Sequence, residues 1–317
     1  MGLDIKGLIS APHTPFQADG SLAPDQVAPQ ADWLVRSGVV GAFIGGTTGE
    51  WCSMTTDERK TLFDAWGQSG AKIARIAHVG HNCQQDAAAL SAHAAKLGFD
   101  AVSAVAPSFL KPGSAQAVAD YFAPIAAAGD GLPFYVYHIP GLSGVSVPAH
   151  DQVAACAQHV PHFAGFKFTD PDLFAYARCM QRFGDRFEFM WGVDEILLAA
   201  LPYGAQSAVG STYNYAAPIY NSMIACYRAG DHDGARREAG RSVALVELLL
   251  EYGVMQAGKA LMTLCGVECG PTRLPVPPIT DAKRAELFER VQKSGLLDDV
   301  SRAASADNGR LQSTPTQ

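Results

Sequence analysis

Lysine is among the residues least often buried, because its ammonium loses hydration that an apolar interior cannot replace. The run "AGFKF" at 164–168 nevertheless sets Lys167 between two phenylalanines in what reads as a short buried strand. Two readings are open for it. At a strand end it can reach water and stay charged. Held inside a fold, a lysine can fall from a pKa near 10.4 to about 6–7 and offer a neutral amine. Such an amine attacks a ketone to form a Schiff base, and the iminium takes up the electron pair of a breaking carbon–carbon bond.

That chemistry needs a proton carrier and a grip on the substrate. Tyr137, in "YVYHIPGLSG" (135–144), lies at the end of the strand-like run that precedes Lys167, so its hydroxyl can face the amine. Tyr135 has the same parity and belongs one layer deeper, in the core. "GGTTGE" at 45–50 places Thr47, Thr48 and several backbone N–H groups on a tight turn before a helix. This is either an ordinary turn or a cradle for a carboxylate or phosphate; no GK[ST] follows, so it is not a Walker loop. Asp194 and Glu195, in "WGVDE", are either charges favoured at a helix N-terminus or acceptors for the hydroxyls of a polyol. "HVGH" brings His78 and His81 close together. A metal site wants three or four convergent ligands, so no metal is expected.

The elements that must carry these residues alternate regularly. Strand-like runs fall at 7–11, 40–46, 73–80, 100–107, 132–139, 164–168, 186–192 and 206–211. Helix-length amphipathic segments lie between them, for instance at 23–38, 55–70 and 83–98. Thr55 and Glu58 have the spacing of a capping box. Gly38, Gly70 and Gly98 stand where a left-handed residue ends a helix. Strands buried on both faces, each followed by a helix, describe a parallel sheet. Eight such units with no domain break predict a closed (β/α)₈ barrel over 1–215, with a doubly wound open sheet as the alternative. Helices follow over 216–300 as a C-terminal appendage, and the small, polar stretch 301–317 is expected to be disordered. In a barrel the chemistry gathers at the carboxyl ends of the strands, which is where Thr47, Thr48, Tyr137, Lys167, Asp194 and Glu195 fall.

The 317 residues are 48% hydrophobic, enough for a large core, and carry a net charge of −7 without a basic run or a basic–aromatic cluster. Nucleic acid is therefore not an expected partner. The N-terminus "MGLDIKGLISAPHTPF" lacks the pattern of a signal peptide, and Lys6 stands where myristoylation wants Ser or Thr. No stretch reaches the roughly 18 apolar residues of a membrane span. The seven cysteines have no CxxC spacing, which fits reduced thiols in a cytoplasmic enzyme.

"GGTTGE", "YHIPGLSGV", "GFKFTD", "GVDE" and "VGSTYN" have the order and spacing found in the superfamily of N-acetylneuraminate lyases and dihydrodipicolinate synthases. The resemblance covers roughly 5–297. It is closest to the sialic acid aldolase branch, which "IAHVG", "GFDAVSAVAP", "GVDEILLAAL" and "GSTYNY" are similar to, with "APSFLKP" and "GPTRLP" like its animal-type members. The synthase branch has an arginine shortly after its tyrosine, and this chain has Leu142 at that place. The resemblance implies a cofactor-free class I aldolase on a (β/α)₈ barrel, assembled as a homotetramer. It makes Lys167 the Schiff-base lysine and Tyr137 the acid/base. Thr47 and Thr48 would bind the pyruvate carboxylate, and Thr169, Gly192, Asp194, Glu195 and Ser211 the hydroxyl chain of the sugar. Some members lend a tyrosine from a neighbouring subunit to a proton relay; the matching stretch "PSFLKP" offers Phe109 instead.

The expected reaction is retro-aldol cleavage of N-acetylneuraminate to N-acetylmannosamine and pyruvate. The alternatives are another pyruvate–lysine aldolase or dehydratase acting on 2-keto-3-deoxy sugar acids, and a barrel that only binds a keto acid. Phe166 and Phe168 are expected to face the helices, leaving Lys167 and Thr169 inside.

Overall fold

The computed structural model describes residues 2–298; the tail from 301 lies outside them. Each strand-like run forms one strand: β1 Gly7–Ser10, β2 Gly41–Ile44, β3 Ala74–His78, β4 Ala101–Val105, β5 Phe134–His138, β6 Phe163–Phe168, β7 Glu188–Trp191 and β8 Ser207–Gly210. Neighbours pair in sequence order, all parallel, and β8 closes on β1 through Gly7↔Ser207 to Ser10↔Gly210. The fold is a (β/α)₈ barrel. Except for β6, which begins one residue earlier than its run, the strands are shorter than the apolar runs, because pairing stops where the chain turns toward a helix.

Local signals place the helices. Thr55 caps the helix Thr56–Gln68, and Thr55 and Glu58 exchange side-chain and backbone bonds in the expected capping box, worth about 1 kcal/mol. Gly38, Gly70 and Gly98 take φ of 81°, 69° and 67°. After β8 the helix Tyr213–Arg228 begins three residues before 216, with a kink at Ala216 ahead of Pro218. It packs against His232–Tyr252, and Val254–Met262 and Asp281–Ser294 follow. Among the described residues no helix is long and apolar enough to cross a membrane.

Two apolar layers result. One lies between sheet and helices and includes Phe166, Phe168 and Trp191. The other fills the barrel and includes Ile9, Phe43, Tyr135, Tyr137 and Met190. Strand β6 joins them in an irregular way. Phe134 pairs with Phe163, yet Tyr135 pairs with Gly165, so one extra residue is inserted at Ala164. Such a bulge reverses the inside–outside alternation beyond it. It is built on Gly165, at φ 144°, where a Cβ would stand 1.8 Å from the Glu188 carbonyl oxygen. Past the bulge Phe166 and Phe168 face the helices, and Lys167 lies directly beside Tyr137. At the amino end of the barrel, the Tyr135 hydroxyl donates to Glu188 at 2.7 Å and accepts from the Leu3 backbone at 2.9 Å. With Leu3 and Ile5 packed beneath, this end is stoppered.

Candidate active site

A cavity of about 390 Å³ opens at the carboxyl end of the strands. Thr47, Thr48, Tyr137, Lys167, Thr169, Gly192, Asp194, Glu195 and Ser211 all line it.

Lys167 forms the floor and is 4% exposed. Its Nζ stands 3.8 Å from the centre of the Tyr137 ring and 4.0 Å from that of Phe43. It makes no ion pair among the described residues. Burial brings its pKa down to about 7, against a smaller pull upward from the charge of Asp194. The rings favour an ammonium by cation–π attraction, but they supply no proton acceptor. An amine half neutral near pH 7 is the outcome.

The Tyr137 hydroxyl lies 3.1 Å from the Thr47 hydroxyl. Burial raises the phenol to about 12, and the Thr47 contact works against that rise. The Thr169 hydroxyl is near enough to favour the phenolate slightly, yet it has no hydrogen-bond partner of ordinary geometry. Thr169 lines the cavity, with its hydroxyl oxygen buried against the wall. Gly192 lets it stay there, because a Cβ at that position would lie 2.1 Å from the Thr169 hydroxyl oxygen.

Asp194 and Glu195 differ in setting. Asp194 is buried and accepts from the Thr212 backbone at 2.9 Å and the Thr212 hydroxyl at 2.6 Å. Burial pushes its carboxyl up to about 6, and the two Thr212 bonds oppose this. Glu195, beyond β7, and Ser211, directly after β8, are half-exposed and line the same cavity. Both carboxylates line the cavity, and Asp194 is held in place by Thr212.

Other lining residues were not singled out by the sequence. His13, two residues beyond Ala11 at the β1 exit, is 1% exposed; among the described residues neither ring nitrogen makes a hydrogen bond of ordinary geometry, though the Thr48 backbone is near enough to favour the protonated ring slightly. Burial, with Lys259 nearby, lowers it to about 3, so its ring is neutral. Applying the strand-end rule to β1 would have found it. One wall is apolar, formed by Val246, Leu249 and Leu250 of His232–Tyr252 and by Val254 and Met255 of the next helix. Nothing in those helical patterns marks them as site residues.

His78 is buried with its Nδ1 on the Gly45 carbonyl at 2.8 Å, whereas His81 sits at the surface. His81, Cys83 and Asp86 bring donor atoms within 4.8 Å of one another, but His81 Nδ1 already accepts the Cys83 N–H. Phe109 and Leu142 lie outside the cavity lining, 84% and 66% exposed.

Residues 4–294 match the dihydrodipicolinate synthetase family. The chain belongs to that family. An N-acetylneuraminate lyase of Danio rerio is 35% identical over 293 residues, covering 90% of this chain and 95% of the relative. The solved N-acetylneuraminate lyase of Proteus mirabilis is similar at a TM-score of 0.90 and 36% identity, over 92% of this chain and 99% of its own. The sialic acid aldolase of Aliivibrio salmonicida gives 0.90 and 37%, over 92% and 98%.

Proposed function

We propose that the protein is a Schiff-base aldolase that cleaves N-acetylneuraminate to N-acetylmannosamine and pyruvate, with no external cofactor and no metal. One observation carries the reading: a buried lysine that makes no ion pair among the described residues, brought near pKa 7, 3.8 Å from a tyrosine ring on the cavity floor. The relatives named N-acetylneuraminate lyase, matched over nearly their full length, support the choice of substrate.

Thr47 and Thr48 donate to the substrate carboxylate, and the neutral Lys167 amine adds to the C2 ketone of the open-chain sugar. The carbinolamine loses hydroxide, which leaves as water with the proton of Tyr137. The iminium that remains is a positive charge beside the ring, and it stabilises the phenolate that the dry site otherwise disfavours. The Tyr137 phenolate then takes the proton of the C4 hydroxyl. The C3–C4 bond breaks, its electron pair moves into the iminium, and N-acetylmannosamine departs as the aldehyde. Tyr137 returns the proton to C3 of the enamine. Water hydrolyses the pyruvate iminium, Tyr137 regains its proton and Lys167 its free amine. Thr169, Gly192, Asp194, Glu195 and Ser211 hold the hydroxyl chain throughout, Asp194 as the fixed acceptor.

The reading extends to a cytoplasmic homotetramer. All seven cysteines are free thiols. Phe109 and Leu110 after β4, and Leu142 in the short helix Pro140–Ser143 after β5, expose large apolar side chains that a second copy would cover.

Borohydride with labelled pyruvate should attach the label to the protein, and Lys167→Ala should abolish it. Turnover of N-acetylneuraminate should exceed that of 2-keto-3-deoxygluconate; the reverse order, or loss of water in place of bond cleavage, would move the protein to another member activity.

A further inference from the structure

The last residue of "GGTTGE" is Glu50, and its backbone stands at φ 54° and ψ 39°. A residue with a Cβ is uncommon in this left-handed region and persists there when its surroundings hold it. The hold comes from the far end of the chain. Glu50 is 3% exposed. Its Oε1 lies 2.7 Å from Nζ of Lys259, and its Oε2 accepts the Arg273 backbone N–H at 2.9 Å. Lys259 is as deeply buried, donates to the Pro271 carbonyl at 2.7 Å and stands 4.1 Å over the Phe16 ring. The Arg273 guanidinium reaches on to Glu58 at 2.6 and 2.9 Å, the same Glu58 that closes the capping box with Thr55. The segment from Thr47 to Glu58 is thus tied through Glu50, Ser53 and Glu58 to Lys259 and Arg273.

Lys259 follows Met255 by four residues in the helix Val254–Met262, so the two share a face. Met255 and Val254 belong to the apolar cavity wall. On the other side, the Glu50 N–H donates to the Thr47 carbonyl at 2.9 Å. One buried ion pair therefore joins the hydroxyl-bearing turn on one side of the cavity to the apolar helix on the other.

We propose that Glu50 and Lys259 are positioning residues that hold the Thr47–Thr48 turn at the distance from Lys167 that the carboxylate of a 2-oxo acid requires. This rests on the reading of Thr47 and Thr48 as donors to that carboxylate. An ion pair suits the task because either charge, once separated, is left alone in an apolar place; turn and helix keep a single relative position. The pair touches no reacting atom. Loosening it weakens the grip on the substrate and leaves the chemistry at Lys167 in place.

The test is borohydride trapping across a range of pyruvate concentrations, in the parent and in Glu50→Gln, Lys259→Met and the double variant. In each variant that folds, half-saturating pyruvate should rise about tenfold or more while the maximal trapping rate stays within about threefold. The double variant leaves no lone buried charge; it should regain the parental melting temperature but not the parental half-saturation. If half-saturation returns together with the melting temperature, or never moves, the pair is only structural and the proposal falls. It falls too if none of the three folds, since the pair is then a folding element. A parent that traps no pyruvate would overturn the aldolase reading, and this proposal with it.

Discussion

The protein buries two lysines, Lys167 at 4% and Lys259 at 3% exposure, and treats them in opposite ways. Both lie about one ring's reach from an aromatic face, at 3.8 Å over Tyr137 and 4.1 Å over Phe16. Burial lowers both pKa values. Glu50 at 2.7 Å pulls Lys259 back toward its charged form, whereas among the described residues Lys167 feels the charge of Asp194 without an ion pair and settles near 7. Withholding a partner makes a nucleophile; supplying one makes a fastening. The chemistry of each lysine is set by its neighbour and not by its depth.

The largest effect is expected at Lys167 itself. Lys167→Ala should lower kcat by roughly 10⁴-fold or more, measured with N-acetylneuraminate, because no other amine lies at the ketone. Tyr137→Phe comes next: a loss of roughly 10²–10⁴-fold in kcat, with pyruvate trapping retained, would separate proton transfer from imine formation.

Methionine at each position should then move stability in opposite directions. Lys259→Met strands the Glu50 carboxylate and should cost about 3–5 kcal/mol in denaturant unfolding at pH 7. Lys167→Met should stabilise by about 1–3 kcal/mol at pH 7. The sign follows from linkage. The folded-state pKa, about 7, lies below the ordinary 10.5, so between these values the unfolded chain binds the extra proton and stability rises with pH. The advantage of Lys167→Met should accordingly shrink as pH climbs toward 10.5. Equal signs for the two variants would erase the contrast.

The smallest effect concerns the remaining influence on Lys167. The Asp194 charge raises the lysine's pKa, so Asp194→Asn should keep the amine neutral to lower pH. The acid limb of the pyruvate-trapping rate, with its midpoint near 7 in the parent, should shift downward by less than about one pH unit. A shift upward would mean that Asp194 acts on the lysine by some other route.

Much of this was legible in the sequence, for identifiable reasons. Eight apolar runs separated by amphipathic segments define the barrel, because strand and helix periods differ and each turn carries its own glycine or cap. Lys167 stood out because a charge in a run of phenylalanines is costly. The bulge at Ala164–Gly165 was not legible, although it sets the inward parity of Lys167; only the pairing of β5 with β6 reveals it. The Glu50–Lys259 pair escaped for a different reason. A lysine in "VMQAGKALM" reads as an ordinary helical residue, and its partner lies most of the chain away. His13 lay within reach of the strand-end rule, but its isolation among unpaired polar atoms exists only in three dimensions.

The stopper at the amino end of the barrel, where Tyr135, Glu188 and Leu3 lock together, has a kinetic consequence. With that end shut, traffic uses one doorway. On the aldolase reading the three-carbon fragment is tethered innermost and the sugar lies between it and the exit, so the products must leave as from a dead-end street, sugar first. Pyruvate should then compete with the substrate for the emptied enzyme, and N-acetylmannosamine should inhibit non-competitively.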